Sequence, residues 1–291
     1  MNSRAKNIQL GLDAADSAIF QSSKIWAKYS DEKADVAHIL IGMICQLAQK
    51  IGSEKAMRAL AIGSADEPQF RLLEAAFRGG LYLFDIDNKA LDTVNNKITR
   101  QFIKNVQTVQ GDFVNVFSSA QSTQQCLQSQ LGHVKFDLIT LHHCLYYCNE
   151  ATWSILLGHL LNELLANHGK IHILLMAVND EREDTTEALY RHFMRQFYGE
   201  YCPQNVRTLY HELQKNEQFS EMDLHLDTRE VKFYTHDFAE YMAVVWMILL
   251  YPHVHQYSLE ERKDITEYVF DHLWSQQKPL IQLQDSLIIS R

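Results

Sequence analysis

Short apolar runs alternate with helix-like segments along the middle of the chain, and this alternation constrains the fold more than any other feature. Five runs have the composition of buried strands, at 59–62, 81–84, 106–109, 136–141 and 171–178. The segments between them have the length and spacing of helices, at 68–78, 89–102, 123–131 and 153–166. Buried parallel strands are continuously apolar, and repeated strand–helix–strand units form a parallel sheet. We therefore predict an α/β fold, and strand-like runs at 223–234 and 280–289 bring the mostly parallel sheet to seven strands.

Helices are predicted on both sides of this alternating region. Apolar residues recur near the helical period from Ile8 to Trp26 and again from 34 to 51, with Ser30-Asp31-Glu32 as a helix start. Further helices are predicted at 183–197, 206–215, 237–250 and 259–274. We expect 1–55 to form a helical cap or lid and 56–291 to form one domain. Within that domain, 183–275 is predicted to be a helical substrate-binding subdomain inserted before the last strand.

Bulk composition narrows the class of protein. The net charge is −9, which argues against nucleic acid as the main partner because phosphate binding needs a basic face. Five cysteines, an odd number with no C-x-x-C pair, suit reduced thiols in the cytoplasm. Residues 1–10 contain no signal-peptide core, and the longest apolar run, 241–251, is shorter than the ~20 residues of a membrane span. We expect a soluble, cytoplasmic monomer with no membrane partner.

Glycine and acidic residues follow the first two predicted strands, where a doubly wound sheet binds its ligands. Gly63 and Ser64 precede a helix, so the backbone there can approach an anionic group closely. Asp85 ends the second strand, where an acidic side chain accepts hydrogen bonds from a ribose diol; Asp87 competes for this role. The alternatives are an ordinary turn at Gly63 and a solvated or helix-capping aspartate.

The third strand is followed by Gly111-Asp112-Phe113. Asp112 could accept a hydrogen bond from the exocyclic amine of adenine, and Phe113 could pack on the ring. The alternative is a turn aspartate followed by a core phenylalanine.

The fourth strand leads into a loop that is dense in reactive side chains, Leu141-His142-His143-Cys144-Leu145-Tyr146-Tyr147. Adjacent histidines point apart, so a metal site is not expected there. His168 and His172 have H-x-x-x-H spacing, but they straddle Gly169, a predicted helix end, and no metal is assigned to them. One of His142 and His143 could instead be a buried core residue.

Taken together, the stretches 59–67, 81–91, 109–113, 136–147 and 169–176 resemble the class I S-adenosylmethionine-dependent methyltransferases. The resemblance lies in their order and spacing rather than in one motif. It implies a Rossmann-like fold and S-adenosylmethionine as the cofactor, with S-adenosylhomocysteine as the product. The implied cofactor-binding residues are Gly63, Ser64, Asp85, Asp112, Phe113 and His142.

Within that class the chain is similar to the histamine N-methyltransferase-like group. The shared features are a helical N-terminal segment, a helical insertion before the last strand and Leu145-Tyr146-Tyr147. The resemblance implies a small-molecule acceptor, most simply an amine or imidazole nitrogen. The implied substrate-binding residues are Glu32, His143, Tyr146, Tyr147 and Gln284, with Gln282 as an alternative in the last strand. His143 stands where the group has an amide side chain.

The predicted catalytic residues are His143, Glu32 and Tyr147. Glu32 could orient a cationic group, and His143 could accept a proton near neutral pH. Tyr146 and Tyr147 could form the pocket wall and attract a cation. Two alternatives stay open: an O-methyltransferase, which His143 would serve equally well, and a binding protein on a decayed methyltransferase fold. The missing glycines disfavour a dinucleotide-dependent oxidoreductase.

Overall fold

A computed structural model of the chain describes residues 3–16, 19–52, 54–63, 70–179, 181–199, 204–249 and 257–291. In these ranges the α-helices are α1 (Ser3–Asp13), α2 (Ile19–Tyr29), α3 (Glu32–Ile51), α4 (Phe70–Ala76), α5 (Asn88–Gln101), α6 (Phe113–Val116), α7 (Ala120–Ser129), α8 (Trp153–His159), α9 (Thr186–Tyr198), α10 (Val206–Lys215), α11 (Phe238–Leu249) and α12 (Leu259–His272). The strands are β1 (Arg58–Ile62), β2 (Gly80–Asp85), β3 (Val106–Gln110), β4 (Phe136–His142), β5 (Leu165–Met176), β6 (Asp223–Phe233) and β7 (Leu280–Ser290).

The strands form one seven-stranded sheet in the order β3-β2-β1-β4-β5-β7-β6. Strands β1 to β5 pair in parallel. Strand β7 runs opposite to β5, because the Ala177 amide donates to the Leu283 carbonyl (2.7 Å) and the Arg291 amide to the Gly169 carbonyl (3.1 Å). The predicted α/β fold with a mostly parallel sheet of seven strands is confirmed. The strand order reverses between β1 and β4, which makes that gap the topological switch point.

The chain divides into two compact units. The first contains Met1–Ala34, Met176–Pro203 and Arg229–Gln284, and the second contains Asp35–Leu175, Gln204–Thr228 and Asp285–Arg291. The core of the first unit is rich in aromatic side chains, including Trp26, Tyr190, Phe193, Phe233, Phe238, Tyr241, Trp246 and Tyr257.

The second unit has a core on each face of its strands, because successive side chains of a strand point to opposite faces. On β4, Ile139 and Leu141 lie in one core and Leu138 in the other. The first core is covered by apolar residues of α8 and α10, among them Trp153, Leu157, Leu209 and Leu213. The second is covered by α3, α4 and α5, through Val36, Leu40, Met43, Leu47, Phe70, Leu73, Leu91 and Val94.

Helix α3 is the one helix among the described residues that is long and apolar enough to cross a membrane. Length and composition alone are weak evidence for a membrane span, because core helices of soluble proteins pass the same test. Four side chains of α3 belong to the core of the second unit: Val36, Leu40, Met43 and Leu47.

The region before β5 differs from the prediction. The predicted helix 153–166 is the shorter α8 followed by a π-helical turn at Leu160–Leu164, and β5 begins at Leu165 rather than at 171. Gly169, predicted as a helix C-cap, therefore lies inside β5. A Cβ on it would lie 2.7 Å from the Leu165 side chain and 3.0 Å from the Phe136 carbonyl oxygen. A glycine is required at position 169 because neighbouring groups approach the backbone there closely.

Two smaller differences concern helices. The helical stretch from Ile8 to Trp26 consists of α1, a 3₁₀ turn at Ala14–Asp16 and α2, with residues 17–18 outside the described part. The four-residue helix α6 was not predicted, because it is too short to show a helical period.

Candidate functional site

The candidate site lies at the carboxyl ends of β1, β2, β3 and β4, all in the second unit. Backbone hydrogen bonds extend the sheet just past three of these ends. The Gly63 amide donates to the Phe84 carbonyl (2.8 Å), Gly111 to Asp85 (3.0 Å), and His143 to Leu174 (2.8 Å). Gly63, Gly111 and His143 therefore lie at one common edge of the sheet, beside the switch point between β1 and β4, where ligands bind in sheets of this type.

Gly63 brings the loops after β1 and β4 into contact. Its φ is +70°, a left-handed conformation that favours glycine. A Cβ at this position would lie 2.6 Å from the Cβ of Cys144. Glycine is thus required twice here, for its backbone angle and for the close approach of the β4 loop. The predicted partner Ser64 lies outside the described residues.

Two aspartates, one at the end of β2 and one two residues past it, have different surroundings. Asp87 is exposed and caps α5, where its carboxylate accepts a hydrogen bond from the Lys89 amide (2.8 Å). Asp85 is half-buried at the end of β2, and its Oδ1 accepts from the Asp87 amide (2.9 Å). Carboxylate oxygens accept hydrogen bonds, and the two hydroxyls of a ribose diol can donate them. The Asp85 carboxylate is therefore a suitable acceptor for the ribose diol of the cofactor that the sequence implies.

Asp112 lies two residues past the end of β3, as Asp87 does past β2, and caps α6. Its carboxylate accepts from the Val114 amide (3.0 Å) and from the Asn115 side chain (2.6 Å). Phe113 is buried, with 8% of its surface exposed, in the core of the second unit. Asp112 therefore caps a helix and Phe113 packs in the core, which are the alternative roles given above for these residues. The Asp112 carboxylate can still accept further hydrogen bonds.

His142 and His143 differ in burial, as adjacent residues at a strand end should. His142 ends β4 and is buried, whereas His143 is half-buried with φ +51°, a conformation uncommon for a residue other than glycine. The His143 ring stacks on Tyr146 at a centroid distance of 6.1 Å and an interplanar angle of 22°. Its Nδ1 lies 3.5 Å from the Tyr146 hydroxyl. His143 thus places a polar ring at the site from a backbone that is strained. Strained backbone conformations are common at functional sites.

Tyr147 projects from the same loop, and 59% of its surface is exposed. Burial of its hydroxyl raises the pKa of Tyr147, and the negative charge of Asp85 adds to the rise. Tyr147 is therefore protonated at neutral pH and can act as a hydrogen-bond donor.

The loop cysteines are not nucleophiles. Burial raises the pKa of Cys144 and that of Cys148, so both are neutral thiols at physiological pH. The thiolate is the reactive form of cysteine. Covalent catalysis by either residue is therefore disfavoured, and the histidine and tyrosine side chains remain the candidates for proton transfer.

The start of α10 supports the β4 loop, a feature that the sequence did not reveal. The Gln204 side chain donates to the carbonyls of Tyr146 (3.2 Å) and Cys148 (3.3 Å). The Asn205 amide donates to the Glu150 carboxylate (3.3 Å). These contacts join residues far apart in sequence, so no local spacing could have predicted them. They hold the backbone that carries Tyr146 and Tyr147.

Two predicted site residues, Glu32 and Gln284, belong to the first unit. Glu32 is 1% exposed; it accepts a hydrogen bond from the Trp26 indole and forms an ion pair with Lys33 (2.8 Å). Gln284 is also buried, and its amide donates to Gln282 (2.7 Å). The other described site residues lie in the second unit.

The described residues contain no candidate metal site, because no three of their His, Cys, Asp and Glu side chains are grouped closely enough to hold an ion. His168 and His172 do not straddle a helix end as predicted, since both lie in β5. They are four positions apart in an extended strand, which separates them by about 13 Å, too far for one ion.

Comparison with known proteins gives matches in structure but not in sequence. No protein-family model and no curated protein matches the chain. The structure of YcgJ from Bacillus subtilis matches with a TM-score of 0.50 and 13% identity, covering 86% of this chain and 97% of that one.

Two further matches are named methyltransferases. The plantazolicin methyltransferase BamL, solved with SAH and a triazolic desmethylPZN analog, has a TM-score of 0.46 and 13% identity and covers 98% of this chain and 97% of that one. Phosphoethanolamine N-methyltransferase 2 of Haemonchus contortus has a TM-score of 0.45 and 12% identity and covers 86% of this chain and 52% of that one. At such identities a likeness shows the fold alone. The likeness to YcgJ therefore supports a Rossmann-like α/β fold, with the seven-stranded, mostly parallel sheet described above.

Proposed function

We propose that this protein is an S-adenosylmethionine-dependent methyltransferase that acts on a small molecule. One observation carries the proposal: acidic side chains stand at the carboxyl ends of two adjacent strands, next to the left-handed Gly63 after β1. Asp85 is the last residue of β2, and Asp112 lies two residues past the end of β3. Acceptors in this order beside a switch point suit a nucleoside. The resemblance of the sequence to class I methyltransferases and the fold support the same assignment.

S-adenosylmethionine, when bound, would supply an electrophilic methyl group on a sulfonium. The residues of the chain would bind the cofactor, orient the acceptor and take up or release protons. Asp85 would accept hydrogen bonds from the ribose hydroxyls, and Asp112 would accept one from the adenine amine. Alignment of the methyl acceptor would contribute most of the rate enhancement, because holding two reactants in line lowers the activation barrier by several kcal/mol.

His143 is the proposed proton acceptor. An ammonium or hydroxyl acceptor must lose a proton around the time of methyl transfer, and a histidine is suited to take it near neutral pH. Its stacking on Tyr146 and its fixed backbone would aim the ring. Tyr147, held protonated, would donate a hydrogen bond or contribute a wall of the pocket.

The finer assignment is an amine or imidazole nitrogen acceptor, as in the histamine N-methyltransferase-like group. Glu32 and Gln284 remain predicted acceptor-binding residues. We further propose that the protein acts as a cytoplasmic monomer without nucleic-acid or membrane partners. The support is its net charge of −9 and its odd number of cysteines, five, without a C-x-x-C pair.

A panel of acceptors tests this proposal. Purified protein would be incubated with S-adenosylmethionine and primary amines, imidazoles, catechols or phenols, and formation of S-adenosylhomocysteine would be measured. Turnover with a nitrogen acceptor, lost in His143→Ala, is the expected result. Turnover with phenols alone would identify an O-methyltransferase. No turnover together with no cofactor binding would favour a binding protein on a decayed fold.

A further inference from the structure

A row of three hydrogen-bonded polar side chains crosses the sheet beneath the candidate site. His142 at the end of β4 contacts His172 on β5, with Nε2 and Nδ1 2.9 Å apart. His172 in turn contacts Ser286 on β7, with Nε2 and Oγ 2.9 Å apart. All three side chains are buried, and His172 has no exposed surface. The two imidazole rings meet edge to face at 4.7 Å.

The row fixes the orientation of His172. Each of its ring nitrogens has a partner in the row, and in a neutral imidazole one nitrogen donates and the other accepts. A rotation of the ring would break both contacts in a place that water does not reach. Buried polar groups without partners are strongly disfavoured, so the ring is held at two points.

This fixed ring lies next to the backbone turn that forms the site. His142 is followed directly by His143, whose amide continues the sheet through a 2.8 Å bond to the Leu174 carbonyl. His143 then takes its left-handed angle, and the next residue, Cys144, meets Gly63. A strained backbone persists only where its surroundings hold it in place. The side chain of His142 is the last side chain of β4 before that turn.

We propose that His172 is a positioning residue: through His142 it holds the end of β4, so that His143 and the loop after it keep the conformation needed for function. The consequence for activity rests on the proposed methyltransferase function, whereas the effect on the backbone does not. His172 would touch neither cofactor nor acceptor. Its effect would pass entirely through the bond to His142.

Two substitutions at His172 separate this role from simple packing. His172→Asn places an amide near the Nδ1 position and can keep the contact with His142. His172→Gln places its amide near the Nε2 position, so that it keeps Ser286 and loses His142. Both variants bury an amide at the same place. A packing role would affect them alike, and a positioning role would not.

Two readouts are measured on the full chain: hydrogen exchange of the His143 amide by NMR, and the Kd for S-adenosylhomocysteine by calorimetry. Thermal unfolding establishes that each variant is folded. We expect about tenfold faster exchange and about tenfold weaker binding for His172→Gln than for His172→Asn, the effect of losing one buried hydrogen bond. Equal values for the two variants in both readouts would overturn the proposal.

The two readouts also separate this proposal from the proposed function. If the wild-type protein is folded and binds no S-adenosylhomocysteine, the methyltransferase assignment fails, and the exchange rate of the His143 amide alone decides the positioning role. If His172→Gln does not fold, the same bond is broken from the other side by His142→Asn. His142→Gln, which keeps an amide at the Nε2 position, is then the matched control, and equal exchange in these two variants would refute the proposal.

Discussion

Replacement of Gly63 by alanine tests whether the loops after β1 and β4 meet as the structure has them. Two separate effects oppose a side chain at this position. The φ of +70° is unfavourable for any residue with a Cβ, and the new Cβ would lie 2.6 Å from the Cβ of Cys144. Gly63→Ala should therefore destabilise the protein by more than a backbone effect alone.

The size of the loss follows from adding these effects. A left-handed conformation costs a non-glycine residue about 1–2 kcal/mol. Forcing an extra methyl group into a packed region costs about 1–3 kcal/mol. The free energy of unfolding should fall by about 2–5 kcal/mol, a large part of the 5–15 kcal/mol typical of a domain.

A double-mutant cycle isolates the contact from the backbone term. Cys144→Gly removes the Cβ that the new methyl group would meet, whereas Cys144→Ala keeps it. Combined with Gly63→Ala, the glycine variant should recover about 1–3 kcal/mol, and the alanine variant should recover nothing. Urea unfolding followed by tryptophan fluorescence measures each free energy. Gly42→Ala on α3 is the control, because a Cβ there meets nothing within 4 Å and should stabilise by about 0.5–1 kcal/mol.

Two results would refute this reasoning. The first is a free energy of unfolding for Gly63→Ala within about 0.5 kcal/mol of the wild-type value, a difference usual for surface substitutions. The backbone at Gly63 would then not have the left-handed angle described. If Cys144→Gly and Cys144→Ala act alike in combination with Gly63→Ala, the two loops do not touch at these atoms.

Two further predictions concern buried ionisable groups. Asp285 is fully buried beside Thr228 and Arg207, and burial raises its pKa. The folded state therefore binds the proton of Asp285 more tightly than the unfolded state does. The free energy of unfolding should fall as pH rises from 3.8, the ordinary pKa of an aspartate, through the raised pKa. Urea unfolding from pH 3.5 to 7 should show this slope removed in Asp285→Asn, and parallel curves for the two proteins would contradict it. Burial also raises the pKa of Cys126 to about 11, so only about 0.1% is thiolate at pH 8, against about a quarter for an ordinary thiol. Mass spectrometry after brief iodoacetamide treatment should find exposed Cys45 alkylated well before Cys126, and equal rates would refute the described burial.

The sheet was predictable because its central strands carry an unambiguous signal. Strands β2 and β4 are buried along almost their whole length, so their sequences are continuous apolar runs between turn residues. The carboxyl ends of parallel strands lie on one edge, so the positions of Asp85 and Asp112 followed from strand order alone. The location of the candidate site was in this way available from sequence.

The junction before β5 was not predictable for the converse reason. Leu160, Leu161, Leu164 and Leu165 are all buried, yet the first three lie in a π-helical turn and the last begins a strand. A short apolar run is compatible with both structures, and periodicity cannot separate them. Gly169 then resembled a helix end because glycine favours that position, whereas here it permits a close approach within the sheet.

Side-chain partnerships across the sheet could not be read from sequence. The contact of His172 with His142 depends on the register of β4 and β5, and its contact with Ser286 depends on β7 lying beside β5. The same holds for Gln204, which supports the β4 loop from the start of α10. Spacing along the chain contains no information on such pairs, because they are set by tertiary packing.

The central claim, that the carboxyl edge of the sheet binds S-adenosylmethionine, is tested most directly by calorimetric titration with S-adenosylhomocysteine. Wild-type protein and two aspartate variants two residues apart would be compared. We predict micromolar binding by the wild type, loss of binding in Asp85→Ala, and unchanged affinity in Asp87→Ala, which should lose only about 1 kcal/mol of stability with its helix cap. Absence of binding by folded wild-type protein, or equal affinity in Asp85→Ala, would contradict the claim.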